Sequence, residues 1–154
     1  MRKKDELAID KIIECAKKEF FDKGFEGASM RAIAESAGYT TGMLYGRFAD
    51  KSELFREIVK EPAEKLYNYY NRVQNEFADL APETQYNDMH FYVDNKVDGM
   101  LDIVYGNFEE FKLIICKSKG SEYEHFVDRL VEVETDNTVR FISELNAAGL
   151  NVND

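Results

Sequence analysis

The sequence predicts an all-α protein, with short helices over roughly the first 60 residues and a bundle of longer ones after them. Three observations predict it. Apolar residues recur at helical spacing along most of the chain, no alternating apolar–polar run persists, and Ser, Thr, Asp and Gly stand where such helices would start and stop.

The first helix is announced by Ile9, Ile12, Ile13, Ala16 and Phe20, a single stripe at i, i+3, i+4, i+7, i+11, and Gly24 is placed to end it. Ser29 can cap the next helix, and Asp50 with Glu53 makes a capping-box pattern for another, which Pro62 is expected to interrupt. Leu66, Tyr70, Val73, Phe77 and Leu80 then form a stripe that stops at Ala81-Pro82. A second long helix is expected from about Thr84 to Tyr105, with Met89, Val93, Val97, Met100 and Val104 inward. Gly106-Asn107 should break it, and Asn107 with Glu110 offers a new cap. Ser121 with Glu124 reads as a capping box that opens the last long helix, carrying Phe126, Leu130, Val133, Phe141 and Leu145.

The 154 residues can bury a real core, with 44% hydrophobic and 32% charged residues. No apolar run approaches the roughly 18 residues of a membrane span. Met1 to Glu6 is basic with no apolar stretch behind it, so a cytoplasmic location and no membrane partner are expected. Cys15 and Cys116 read as two reduced thiols. The net charge of −10 is unevenly spread: residues 1–60 hold 12 Lys and Arg against 11 Asp and Glu, and residues 61–154 hold 8 against 19. The acidity belongs to the second part, which must do something other than touch phosphate. Any DNA affinity in the first part has to come from the placement of charge.

Residues 29–48 read Ser-Met-Arg-Ala-Ile-Ala-Glu-Ser-Ala-Gly-Tyr-Thr-Thr-Gly-Met-Leu-Tyr-Gly-Arg-Phe. A helix holding Ile33 and the small Ala34 is followed by a tight turn at Gly38. A short second helix follows, capped by Thr40, with Leu44 facing back. This is the pattern of a helix-turn-helix, in which the residues opening the second helix face base edges.

The order Ala37-Gly38, Thr40, Gly42, Leu44-Tyr45, Phe48, Lys51 and Leu54-Phe55 resembles the signature of the tetracycline-repressor (TetR) family, and Phe20 with Lys23-Gly24-Phe25 is similar to that family's first helix and turn. The resemblance covers roughly Ile12 to Val59, with Tyr39 and Gly46-Arg47 departing from common family choices. It implies an N-terminal helix-turn-helix DNA-binding domain over residues 1–60, followed by a helical ligand-binding and dimerisation domain over 61–154. Thr40, Thr41 and Gly42 match positions that approach bases, and Tyr45 one that touches phosphate or a thymine methyl. Ser29, Arg31 and Lys51 sit at helix starts that can hold phosphate, Arg47 could take another, and Arg2, Lys3 and Lys4 could form an arm. The bland readings are capping for Thr40 and Lys51 and core packing for Tyr45. The implied function is a ligand-responsive transcriptional repressor acting on double-stranded operator DNA. The alternative is an all-α ligand-binding or protein-interaction module without useful DNA affinity, which the near-neutral first part favours.

Ten of the twenty Phe and Tyr residues lie between Tyr67 and Phe111. With Tyr67, Tyr70, Met89, His90, Val93, Met100, Phe108 and Phe111 as candidate lining, they could enclose a small apolar or aromatic effector, or simply form an aromatic core. His90, Asp94, Asp98 and Asp102 fall one turn apart, which reads as a solvated acidic face rather than a metal site. No catalytic motif appears, and neither enzyme activity nor a cofactor is expected. The helix from Ser121 carries two apolar stripes: Phe126, Leu130, Val133 and Phe141 on one, Val127, Val131, Ile142 and Leu145 on the next. The second stripe wants a partner, so a homodimer through this helix is expected. The linker-like ending from Gly149 stands where a final helix of the family would follow.

Overall fold

The computed structural model describes residues 2–150, with side chains from Leu7 onward, and every regular element among them is a helix. These are α1 (Arg2–Gly27), α2 (Met30–Ala37), α3 (Thr41–Arg47), α4 (Lys51–Ala78), α5 (Pro82–Gly106), α6 (Phe108–Lys117) and α7 (Phe126–Ala147). The side chains of Arg2, Lys3 and Lys4, and residues 151–154 of the linker-like ending, lie outside the described residues.

By compactness the chain forms two units, one of Met1–Glu61 with Phe108–Phe126, the other of Pro62–Asn107 with Val127–Asp154. The first unit is built on the α1 stripe. Ile12, Ala16 and Phe20 are buried, and Phe20, Phe25 and Phe55 form a cluster of rings with centroids 4.9–6.1 Å apart. Gly24 adopts φ 71° and interrupts the helical dihedrals of α1, a left-handed conformation that a side chain would disfavour. The turn it creates brings Phe25 back onto Phe55. α6 lies along α1, where Lys17 bonds Glu110 and also pairs with Glu109 at 3.6 Å. Burial opposes the Glu110 charge, but the Lys17 hydrogen bond holds the carboxyl below its usual range.

Several expectations about helix ends give way to tertiary packing. Pro62 does not interrupt α4, which runs through it. A proline inside a helix removes one hydrogen bond and clashes with the preceding turn, at about 3 kcal/mol. The turns on either side bury Ile58, Val59, Ala63 and Leu66, and apolar burial of about 1.5–3 kcal/mol per large side chain outweighs that penalty. Asn107 does not cap α6; its side-chain amide donates back to Ile103 O at 2.9 Å. The last helix starts at Phe126 rather than Ser121, because Ser121 and Glu124 are spent in a turn: Ser121 Oγ accepts from Tyr123 N, and Glu124 Oε2 from Gly120 N.

In the second unit, Gln85 is buried and its amide donates to Ala78 O and Leu80 O, tying the start of α5 to the last residue of α4 and the turn after it. The expected inward stripe of α5 is not buried: Met89, Val93 and Val97 are exposed, Met100 and Val104 half-buried, and Gln85 and Ile103 are the buried positions. α7 is likewise mixed. Of its second stripe Leu145 is buried and Ile142 half-buried, whereas Val127 and Val131 are exposed. A helical period alone marks an apolar face but not what covers it.

Candidate nucleic-acid interface and helical cavity

Local hydrogen bonds set the helix-turn-helix. Ser29, extended at φ −122°, caps α2 by accepting from Ala32 N through Oγ, and its own N–H donates to Glu19 of α1. Gly38 ends α2 at φ 79°, and the next amide, Tyr39 N, reaches back to Ala34 O at 2.9 Å. Thr40 then caps α3, its Oγ1 accepting from Met43 N at 3.2 Å. Ile33, Ala34 and Ala37 on α2 and Leu44 on α3 are buried. Leu44 is the one buried residue of α3, so every other side chain of that helix faces out or lies at its margin.

The residues singled out for DNA therefore fall on one exposed element and its neighbours. Thr40, Gly42 and Arg47 are exposed and Thr41 is half-buried at the first turn. Tyr45 is 51% exposed, which removes core packing as its role. Ser29 and Arg31 are exposed at the front of α2. Lys51 is different. Its Nζ donates to Glu26 O at 3.0 Å and Ala28 O at 3.2 Å, and lies 4.7 Å from the centre of the Phe25 ring. The ammonium clasps the carbonyls left open behind Gly24 and secures the start of α4 to that turn. Asp50 caps the same start by accepting from Glu53 N at 2.8 Å. Sequence reading missed Met43, a 57% exposed side chain on α3 whose only signal was its place beside Leu44.

The second unit holds a cavity of about 270 Å³ between α4, α5 and α7. Its wall is largely apolar, with Phe77, Met89, Tyr92, Val93 and Phe141, and the Phe77 ring contacts those of Tyr92 and Phe141 at 5.1 and 5.5 Å. At one side a single carboxylate gathers donors from two other helices. Glu134 of α7 accepts from Tyr70 and Gln74 of α4 and from Lys96 of α5, the last at 2.8 Å. Lys96 Nζ also sits 4.9 Å from the Tyr70 ring centre. Burial opposes the Glu134 charge, yet the bonds from Lys96 and Tyr70 hold its carboxyl below the ordinary range. Burial, then the bond to that carboxylate, push the Tyr70 hydroxyl up.

Of the candidate lining residues, Met89 and Val93 reach this cavity. Tyr70 stands behind it through Glu134. Tyr67 and His90 are exposed, and Met100 is half-buried away from the wall. Phe108 and Phe111 belong to the other unit, where the Phe111 ring meets that of Phe126. Gln74, Lys96 and Glu134 carried no sequence signal, because their meeting depends on how three helices pair. Among the described residues no group of three or more His, Cys, Asp or Glu is placed to hold a metal ion, and no helix is long and apolar enough to cross a membrane. Both cysteines are free, Cys15 half-buried and Cys116 exposed.

Residues 12–58 match the family described as "Bacterial regulatory proteins, tetR family". Similar proteins include the HTH-type transcriptional repressor KstR2 of Mycolicibacterium smegmatis, 30% identical over 64 residues, or 42% of this chain and 31% of that protein. The HTH-type transcriptional repressor AcnR of Corynebacterium efficiens is 34% identical over 55 residues, 36% of this chain and 29% of that one. An HTH-type transcriptional regulator of Staphylococcus aureus is 30% identical over 77 residues, covering half of this chain and 42% of its own. The matched segments thus span less than half the length of these relatives. No solved structure matches the chain.

Proposed function

Since this chain belongs, through its helix-turn-helix module, to the tetR family of bacterial regulatory proteins, we propose that it is a cytoplasmic transcriptional repressor rather than an enzyme, binding operator DNA as a homodimer. The observation that carries the reading is α3: a short helix, capped by Thr40 and anchored by Leu44, that leaves its remaining surface open. Set in the major groove, Thr40, Thr41 and Gly42 would approach base edges, with Tyr45 beside them. Arg47, Arg31 and the Ser29 end of α2 would hold phosphate and fix the register. Lys51 serves this interface by holding the turn behind α2 in place.

The cavity supports an effector with an apolar or aromatic body, because its wall is mostly Phe, Tyr, Met and Val. α4 supplies residues to both compact units, 51–61 to one and 62–78 to the other. An effector that prefers one setting of α4 over another would shift operator affinity, and DNA would shift effector affinity by the same factor. The exposed Val127, Val131 and Val139 of α7 are the surface offered for self-association.

Binding selection from randomised duplexes tests the reading. The wild-type chain should enrich one sequence, and Thr41→Ala should keep its fold while enriching a different one. Recovery of no preferred sequence by the wild type would contradict the regulatory function, and an unchanged preference in the variant would remove Thr41 from the reading face.

A further inference from the structure

We infer that Met43 is a specificity-determining residue of this interface, reading the methyl group of a thymine in the operator half-site. The inference rests on the DNA-binding function proposed above and adds a residue and a base chemistry to it.

Successive residues of a helix are turned by about 100°. With Leu44 directed into the fold and fully buried, Met43 and Tyr45 flank the outward face on opposite sides. Gly42 and Gly46, one turn apart, form its crest. A Cβ placed at either glycine would meet no atom within 4 Å, so neither position is small for lack of room inside the molecule. The outward surface of α3 is therefore bare backbone between two tall side chains, Met43 at 57% and Tyr45 at 51% exposure.

What Met43 can recognise follows from its chemistry. Its backbone N–H is already committed to Thr40 Oγ1. Its side chain has no hydrogen-bond donor, and its thioether is a weak acceptor. It cannot read the donor and acceptor pattern of a base pair. In the major groove the one apolar group is the C5 methyl of thymine. An unbranched, polarizable side chain with three rotatable bonds is suited to settle against such a methyl. The exposed apolar surface then becomes buried only on DNA that presents a thymine at that place, which turns a solvation cost into a sequence preference.

Deoxyuridine lacks only that methyl, so it isolates the contact. Affinity of the full chain is measured on its selected duplex with each half-site thymine replaced singly by deoxyuridine, for wild type, Met43→Ala and Tyr45→Phe. At one position the wild type should lose affinity roughly three- to tenfold, the worth of one buried methyl or slightly more. Met43→Ala should bind the thymine and deoxyuridine duplexes equally at that position, and Tyr45→Phe should retain the wild-type penalty there. Unchanged melting temperature in Met43→Ala confirms that the fold is intact, as expected for an exposed side chain. If the wild type selects a sequence but shows no deoxyuridine penalty, or Met43→Ala keeps every penalty, the inference is overturned while the regulatory function stands. If the wild type selects no sequence at all, both fall together.

Discussion

The two compact units use the same element type and the same kinds of side chain to opposite ends. In the first, a cluster of aromatic rings faces inward: Phe20, Phe25 and Phe55 close on one another, and Tyr123 completes the group against Phe55 at 6.1 Å. In the second, Tyr86, Phe91 and Tyr105 stand 52–69% exposed along α5, and the rings of Phe77, Tyr92 and Phe141 meet on the wall of an open cavity. The first unit closes its own core and leaves one short helix, α3, with Met43 and Tyr45 outward, for a partner. The second leaves apolar surface uncovered and ties its helices through one carboxylate. A closed core suits rigid presentation of a recognition helix. An open apolar wall suits a guest or another subunit.

The difference can be tested by mutating each region according to its role. The largest effect should come from the first core. Phe55→Ala removes a fully buried ring from the cluster and should cost about 3–5 kcal/mol, read as a lower denaturant midpoint, with specific DNA binding lost at the same time. A loss below about 1 kcal/mol would mean that this core is not what holds the helix-turn-helix.

Next in size is the carboxylate that gathers three helices. Glu134→Ala leaves Lys96, whose side chain is 14% exposed, without its anion. We expect a loss of about 1–2 kcal/mol, smaller than for a fully buried pair because Glu134 itself is half exposed and partly screened. The pH dependence has a definite sign. A carboxyl whose folded pKa lies below its unfolded value contributes fully above the unfolded value, about 4.3 for Glu, and the contribution fades as pH falls toward the folded value. Wild type and Glu134→Gln should therefore converge in stability as pH drops below about 4, in paired melting curves. A gap that stays constant from pH 7 to 3 would remove the ionised carboxylate from the account.

A smaller pair of effects separates positioning from phosphate contact. Lys51→Ala should lower the melting temperature by a few degrees, roughly 1 kcal/mol for a lost carbonyl clasp, and weaken DNA binding without changing its salt slope. Arg47→Ala should leave stability unchanged and flatten the slope of log affinity against log salt by about one unit. If the two exchange behaviours, Lys51 is the phosphate contact after all. The smallest effect on folding is expected at Val131→Ala, within about 0.5 kcal/mol because the side chain is 57% exposed. Its readout is self-association by light scattering, and unchanged association would remove this face of α7 from the dimer.

Legibility in the sequence followed the range of the interactions. Gly24, Ser29, Gly38 and Thr40 were readable because a cap or a left-handed turn is settled within three or four residues. The stripe from Ile12 to Phe20 was readable because one face of α1 is buried along its length. Pro62 was misread because its local penalty is offset by packing that no local rule contains. Ser121 was misread because the same Ser and Glu that make a capping box can also close a turn, and Phe126 then opens the helix. The cavity was least legible. Tyr70, Gln74, Lys96 and Glu134 are brought together by the pairing of three helices, whereas Phe111 sits in the same aromatic-rich stretch yet packs in the other unit.

The measurement closest to the central claim is the affinity of the wild-type chain for its selected duplex and for a scrambled one across 50–200 mM salt. A regulator that places Arg31, Arg47 and the front of α2 on phosphates should lose affinity steeply with salt on both duplexes. It should also hold a preference of about 10³-fold or more for the selected one throughout. A shallow salt dependence with equal affinity for the two duplexes would contradict it, and would leave an α-helical module whose chemistry lies in the cavity of its second unit.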